Sequence, residues 1–240
     1  MLRLLIDAGN TNIKIQQVEG DWCQPVCVLP VNRACELEDY FPVSACSVWV
    51  SNVAGSALGE RIRAVCAARG CTVTFIASQA LQCGVQNTYT QPSSLGTDRW
   101  ASLIAAWALQ KRACLVVGSG TATTIDALSD GGEFLGGLIL PGIALMQQAL
   151  AGATAQLQLA GGEYAAFPLT TADAIFSGAL QATCGAIGLQ YARLAADDAP
   201  VLLCGGAARL LSEHLNLPRQ IQDNLVLQGL LIIARESGGA

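Results

Sequence analysis

Histidine is nearly absent: His214 is the only one, and lysine occurs only as Lys14 and Lys111 in 240 residues. A zinc site built from His and Cys is therefore not expected. The 13 basic residues form no dense cluster and the net charge is −5. The chain thus lacks the basic face that a nucleic-acid backbone requires, and no nucleic acid is expected as a partner. No Walker sequence, no G-x-G-x-x-G and no H-E-x-x-H occurs, so any nucleotide must be held by other means. Charged residues are scarce at 13% against 52% hydrophobic, which provides a large core and argues against disorder. The ten cysteines include no C-x-x-C pair. Several fall in apolar runs, where Cys behaves as a small hydrophobe, and a reducing, cytoplasmic setting is expected. No signal peptide is expected either, because Asp7 breaks the first apolar run too early. The one uncharged stretch long enough to span a bilayer, Phe134 to Gly162, is broken by Gly136-Gly137, Pro141-Gly142 and Gln147-Gln148. A buried strand, a turn and a helix fit it better than a membrane span.

What is present begins with Leu4 to Ile15, Leu-Leu-Ile-Asp-Ala-Gly-Asn-Thr-Asn-Ile-Lys-Ile. It reads as a buried strand, a tight glycine turn and a second strand alternating about Ile13 and Ile15. Asp7 ends the first strand, and Asn10, Thr11 and Asn12 crowd polar donors into the turn. Such donors beside a carboxylate suit a metal-bound polyphosphate. An ordinary β-hairpin has the same signature. Further along, Gln17 to Pro42 reads as irregular with short edge strands. Ser47 to Val53 reads as a short buried strand, Ala57 to Arg69 as a helix stopping at Gly70, and Cys71 to Ala77 as another strand. That order implies a parallel crossover sheet with helices packed on it. Ser78 to Thr97 reads as a long polar loop, of the kind that is functional or mobile. A helix then carries Trp100, Leu103, Ile104 and Trp107 on one face.

The second half repeats the opening. Leu-Leu-Ile-Asp7-Ala-Gly9-Asn-Thr lies against Leu-Val-Val-Gly118-Ser-Gly120-Thr-Ala, so Gly9 matches Gly120 and Asn10 matches Thr121. Two glycine-turn hairpins, each opening a half, suggest a duplicated α/β fold with a nucleotide between the halves. The halves are placed at 1–112 and 113–240. Helices are expected near Ile143 to Leu150, Thr171 to Leu194 and Asn224 to Arg235, and a strand at Val201 to Cys204.

Four motifs in order carry a family likeness: Asp7-Ala-Gly-Asn-Thr, Gly96-Thr-Asp98-Arg99-Trp, Gly120-Thr-Ala-Thr-Thr and Gly136-Gly-Leu-Ile-Leu-Pro141-Gly. Together they resemble type III pantothenate kinase, including its Bvg accessory factor subgroup. The resemblance implies the duplicated ribonuclease H-like, actin-like fold of the acetate kinase, sugar kinase, Hsp70 and actin superfamily. It implies transfer of the ATP γ-phosphate to the primary hydroxyl of pantothenate, the first step of coenzyme A synthesis, by a homodimer without membrane attachment. By the same resemblance, Asp7, Ala8, Gly9, Asn10, Thr11, Asn12, Ile13 and Lys14 form a first phosphate loop. Asp7 organises Mg²⁺, and Gly120 and Thr121 meet ATP. Tyr89, Gly96, Thr97, Asp98, Arg99 and Thr171 hold pantothenate, with Asp98 as catalytic base.

Each of these has a plainer reading. Asp98 precedes a helix and would serve as its N-cap. Arg99 would be a solvated helix cation, and Tyr89 would pack its ring in the loop. Lys14 faces away from the core and is either solvated or a phosphate contact. Thr171 would be a helix N-cap, and Thr170 stands where the family commonly has Asn. Asp126 ends the second hairpin, as a turn residue or a metal helper. Cys204-Gly205-Gly206 is a strand-to-helix turn that resembles the superfamily's adenosine-side turn. His214 is read as a surface helix residue without a role. The departure is Gly118, where most of the family carries an Asp that helps bind a monovalent cation (potassium or ammonium). Glycine supplies no carboxylate there, and a regulatory accessory factor with the same fold is the alternative reading.

Overall fold

The computed structural model describes residues 2–153 and 161–238. It divides into two compact units, Met1–Leu109 with Asn224–Ala240, and Gln110–Asp223. The break at Leu109 lies close to the one expected after residue 112. The C-terminal segment, however, clusters with the first unit rather than the second.

The first unit opens with β1 (Leu2–Ala8) and β2 (Asn12–Glu19), an antiparallel hairpin whose register sets Asp7 opposite Lys14. The short strands β3 (Trp22–Cys23) and β4 (Cys27–Pro30) both pair with β2. A 3-10 stretch, Val31–Tyr40, then buries Leu37 completely. The region read as irregular is therefore mostly ordered; its short elements are held by pairing to β2, which no local periodicity announces. β5 (Ser47–Asn52) lies parallel to β1, α1 (Ser56–Ala68) crosses over, and β6 (Thr72–Phe75) lies parallel to β5. The resulting strand order is β3-β2-β1-β5-β6. Leu4, Ile6, Ile13 and Ile15 share one core with Val48, Val50, Leu58 and Ile62. The hydrophobic alternation of the sequence is thus spent on a sheet with helix α1 against it.

The expected long loop holds a hairpin, β7 (Leu81–Gln82) and β8 (Val85–Asn87), followed by a 3-10 turn at Pro92–Ser94. Cys83 and Gly84 make its two-residue turn with φ of 51° and 78°, the geometry that favours a tight hairpin. Cysteine is an unusual residue there, so the turn did not announce itself. α2 (Thr97–Gln110) follows, with Trp100, Leu103 and Ile104 fully buried.

The second unit begins with β9 (Cys114–Ser119), β10 (Ala122–Leu128) and β11 (Glu133–Pro141), successive antiparallel neighbours. Then come α3 (Ile143–Ala153), α4 (Thr171–Leu194), β12 (Val201–Cys204), α5 (Ala208–His214) and β13 (Arg219–Ile221). β12 is parallel to β9, and β13 is parallel to β12. A hairpin whose first strand takes a parallel neighbour, which takes a second in turn, is therefore built twice, by β1-β2 with β5 and β6, and by β9-β10 with β12 and β13. α6 (Leu225–Ser237) returns to the first unit and packs on β1 and β5. Part of the uncharged stretch 134–162 lies outside the described residues. Among the described residues, no helix is long and apolar enough to cross a membrane.

Candidate functional site

The first hairpin turns on Gly9, whose amide donates to the Asn12 carbonyl at 3.1 Å. Asn10, Thr11 and Asn12 stand exposed at the tip, while the side chains of Ala8 and Ile13 are completely buried. Those two can offer a ligand only backbone. Lys14 points away from the face that buries Ile13 and Ile15, beside its cross-strand neighbour Asp7.

Parallel pairing of β1 with β5 places Ser51 next to Asp7. The Ser51 side chain, fully buried, shares a hydrogen bond of 2.9 Å with the Thr97 hydroxyl at the start of α2. One sheet edge and one helix N-terminus thus gather Asp7, Ser51, Thr97 and Asp98. Burial raises the Asp7 carboxyl from its ordinary value to about 6; Lys14 pulls it down and the nearby Asp98 charge pushes it up. Two carboxylates with one ammonium form a site short of positive charge.

Asp98 is not the helix cap. It sits in the first turn of α2, after Thr97, and its Oδ1 accepts the Arg99 amide at 2.8 Å. A β-carbon at Gly96 would stand 2.7 Å from that same Oδ1, so glycine is what lets the carboxylate lie over the chain. Arg99 is no solvated cation: it is only 6% exposed. Its Nη1 donates to the Tyr89 hydroxyl at 3.1 Å, and its guanidinium lies 5.8 Å from the ring centre. Tyr89 is placed in turn by Asn87, whose Oδ1 accepts the Tyr89 amide at 3.1 Å and whose Nδ2 donates to the Pro92 carbonyl at 3.1 Å. Gln82 accepts from the Trp100 indole at 2.9 Å. The β7–β8 hairpin is therefore the mount of Tyr89.

Ser51 and Asn87 were missed by sequence reasoning. The only signal for Ser51 is a polar pair, Ser51-Asn52, closing an otherwise apolar strand. Asn87 carried no signal, because its hairpin was not recognised.

In the second unit, Gly120 and Thr121 form the turn between β9 and β10, with Gly120 donating to the Ala122 carbonyl at 2.9 Å. Thr121 is exposed, and its carbonyl accepts the Gly142 amide at 2.9 Å. A β-carbon on Gly142 would fall 2.2 Å from the Gly120 carbonyl oxygen, so the Pro141-Gly142 motif buttresses this turn. Cys204 leads into Gly205, whose φ is 94°, and the Ala207 amide reaches the Ser119 carbonyl at 3.3 Å. At Gly118 a β-carbon would meet Thr124 Oγ1 at 3.0 Å and Cys204 Sγ at 3.8 Å. The Thr124 hydroxyl therefore stands close against this backbone position.

Asp126 does not end the hairpin. It lies inside β10, opposite Val116 and Gly137, and is 1% exposed, because the strand runs on to Leu128. Thr171 is not the cap of α4. Thr170 is, accepting the Asp173 amide at 3.2 Å and donating to the Asp173 carboxylate at 2.7 Å. Thr171 is exposed at the first helical position, in the second unit rather than with Tyr89 to Arg99 in the first. His214 ends α5 half-buried, its ring 4.3 Å from that of Tyr164.

Among the described residues, no cluster of three or more His, Cys, Asp or Glu could hold a metal. Asp7 with Asp98 nearby is a sparse oxygen set. That suits Mg²⁺, which keeps several waters and takes its other ligands from a bound phosphate.

The family model for type III pantothenate kinase matches residues 3–193. The type III pantothenate kinase of Aromatoleum aromaticum is 45% identical over 241 aligned residues, covering 99% of each chain. Among solved structures, a Campylobacter jejuni chain described as a Baf family transcriptional activator superposes with a TM-score of 0.68 at 24% identity, over 99% of this chain and 100% of that one. A 2-dehydro-3-deoxygalactonokinase-type protein of Sinorhizobium meliloti gives 0.61 at 17% identity, over 98% and 96%. At those identities the structural likeness speaks for the fold alone, a duplicated α/β fold. Family-model match and near full-length relative agree, and the chain belongs to the type III pantothenate kinase family.

Proposed function

We propose that the chain transfers the γ-phosphoryl group of ATP to the primary hydroxyl of pantothenate. The observation that carries this reading is the convergence of Asp7, Ser51, Thr97 and Asp98 beside the buried Arg99–Tyr89 pair. Asp98 accepts the hydroxyl proton as the oxygen attacks phosphorus. Such a base typically contributes ~10²–10⁴ in rate, and positioning and charge neutralisation supply much of the rest. Arg99 offers its guanidinium fork to the pantothenate carboxylate, steadied by the Tyr89 hydroxyl. Gly96 and Thr97 line the same pocket. In the first unit the turn Gly9 to Asn12 and Lys14 hold phosphates of ATP, and in the second unit the turn Gly120-Thr121 is the part offered to ATP. Mg²⁺, held through Asp7, would neutralise charge on the transferring phosphates. The setting is cytoplasmic.

Gly118 bears on the monovalent cation. Gly118 brings no carboxylate, so there is less charge here for potassium to neutralise. Purified chain with ATP, Mg²⁺ and pantothenate should release ADP and form phosphopantothenate. Exchanging sodium for potassium should alter the rate by less than about twofold, since Gly118 supplies no carboxylate for a hard cation. No phosphopantothenate under any salt condition would instead favour the regulatory reading. That reading has less support, because Asp98 and Arg99 are in place and the 45% identical relative is named as the kinase.

Gly96→Ala tests the pocket geometry. The added methyl would stand 2.7 Å from the Asp98 Oδ1 and so displace the carboxylate, and turnover should fall at least roughly tenfold, as it does when reacting groups are slightly misplaced. Unchanged turnover would mean that the carboxylate position is not critical.

The homodimer belongs to this reading too. Leu135, Leu138 and Ile139 on β11, Leu145 on α3 and Leu189 on α4 are exposed large hydrophobics of the second unit, and a partner chain would cover apolar area of this kind. The chain should sediment at twice its own mass. Ile139→Asp, at a position 65% exposed, should shift it to the monomer without loss of fold; a variant still dimeric would place the interface elsewhere.

A further inference from the structure

Cys46 and Cys71 stand one residue before β5 and β6, whose parallel register begins with Ser47 opposite Thr72. They are therefore neighbours across the strand pair, and the Thr72 amide donates to the Cys46 carbonyl at 3.2 Å. Adjacent strands run about 4.8 Å apart, inside the roughly 4.4–6.8 Å separation of α-carbons that a disulfide tolerates. The two sulfurs are in thiol contact at 3.5 Å. Closing to a bond needs an approach of about 1.5 Å, which rotation about the Cα–Cβ bonds supplies without moving backbone. The pair lies at the far end of β5 from Ser51, so it is outside the pocket described above.

We propose that Cys46 and Cys71 form a reversible disulfide that ties together the two ends of the β5–α1–β6 crossover when the chain meets a small-molecule disulfide oxidant. The two sulfurs are not equivalent. Cys46 is 8% exposed, whereas Cys71 is half-buried and reachable. Burial, with the Cys71 contact adding to it, pushes the Cys46 thiol up to about 12. Cys71 therefore reacts first. It gives its proton to solvent, attacks one sulfur of the oxidant and expels one thiolate, leaving a mixed disulfide. The Cys46 sulfur, losing its proton, then attacks the Cys71 sulfur and expels the second thiolate. Two protein thiols are oxidised and one oxidant disulfide is reduced to two thiols. The third nearby cysteine, Cys66, is 1% exposed and offers Cys71 its backbone carbonyl, at 2.9 Å.

The bond spans 25 positions of sequence, and a loop of that size restricts the unfolded chain enough to raise Tm by roughly 5–10 °C. The test uses the reduced full-length chain and oxidised glutathione, followed by alkylation, proteolysis and mass spectrometry. The expected result is a Cys46–Cys71 linked peptide as the main disulfide, a Tm rise of that size, and reversal of both by dithiothreitol. Cys71→Ser should abolish the rise. Mapping the unaltered chain decides the matter even if a variant folds poorly. Cys71 left free or glutathionylated, a Cys66–Cys71 link in its place, or a Tm that stays put once the Cys46–Cys71 link has formed would overturn the proposal.

Discussion

Asp98→Asn should lower turnover by at least ~10² while leaving the fold in place. The reasoning separates the chemical role of the carboxylate from its structural one. Asn keeps an oxygen at the position of Oδ1, so the 2.8 Å bond from the Arg99 amide is retained. Losing a negative charge in the first turn of α2 costs about 0.3–1 kcal/mol. That loss is offset because Asp98 also repels Asp7. Tm should therefore move by no more than a few degrees. The amide, however, cannot take the proton of an attacking hydroxyl. The loss should appear in kcat, with KM for pantothenate nearly unchanged, because Arg99 and Tyr89, the proposed contacts of its carboxylate, are unaltered. Coupled detection of ADP gives both parameters. Near-normal turnover would remove Asp98 from the role of base.

Asp7→Asn should act in opposite directions on activity and stability. In the metal-free fold, the Asp7 carboxyl is raised from 3.8 to about 6, chiefly by burial. A carboxyl raised in this way favours the folded state while protonated, and that advantage is lost as pH climbs through about 6. A shift of that size corresponds to about 3 kcal/mol. Because Asp7 is partly open to water, about 1–3 kcal/mol is the fairer range. Asn never ionises, so the metal-free variant should melt roughly 3–10 °C above the parent chain at pH 8, with the gap narrowing towards pH 5. Activity should fall by ~10² or more, because the variant has lost the charge proposed to organise Mg²⁺ beside the phosphates. Melting curves at the two pH values without metal, together with the kinase assay, check both halves. A variant less stable than the parent at pH 8 would contradict the assigned environment of Asp7.

These two residues also mark how far sequence reasoning reached. Asp7 and Asp98 were legible because each sits in a short motif whose glycine, Gly9 or Gly96, signals close backbone approach. The duplication was legible because Leu4 to Ile15 and Leu115 to Ala122 share a pattern of apolar run and glycine turn. Arg99 was legible as a residue but not as a buried one: helix periodicity gives a face, and what covers that face is another element. Asp126 was misplaced because the length of β10 depends on its partners β9 and β11. The cap of α4 fell on Thr170 rather than Thr171 because the Asp173 carboxylate answers it, a three-residue exchange that either threonine might have entered.

By itself, then, the sequence determined the two glycine-turn hairpins, the crossover unit of the first half and the glycine-flanked carboxylates, since all of these follow from local periodicity and turn chemistry. Only the tertiary structure decided that Ser51 stands beside Asp7, that a hidden hairpin mounts Tyr89 against Arg99, and that Cys46 touches Cys71. Each is a contact across strands or between elements far apart in the chain. Register and packing set such contacts, and neither is written in the spacing of neighbouring residues.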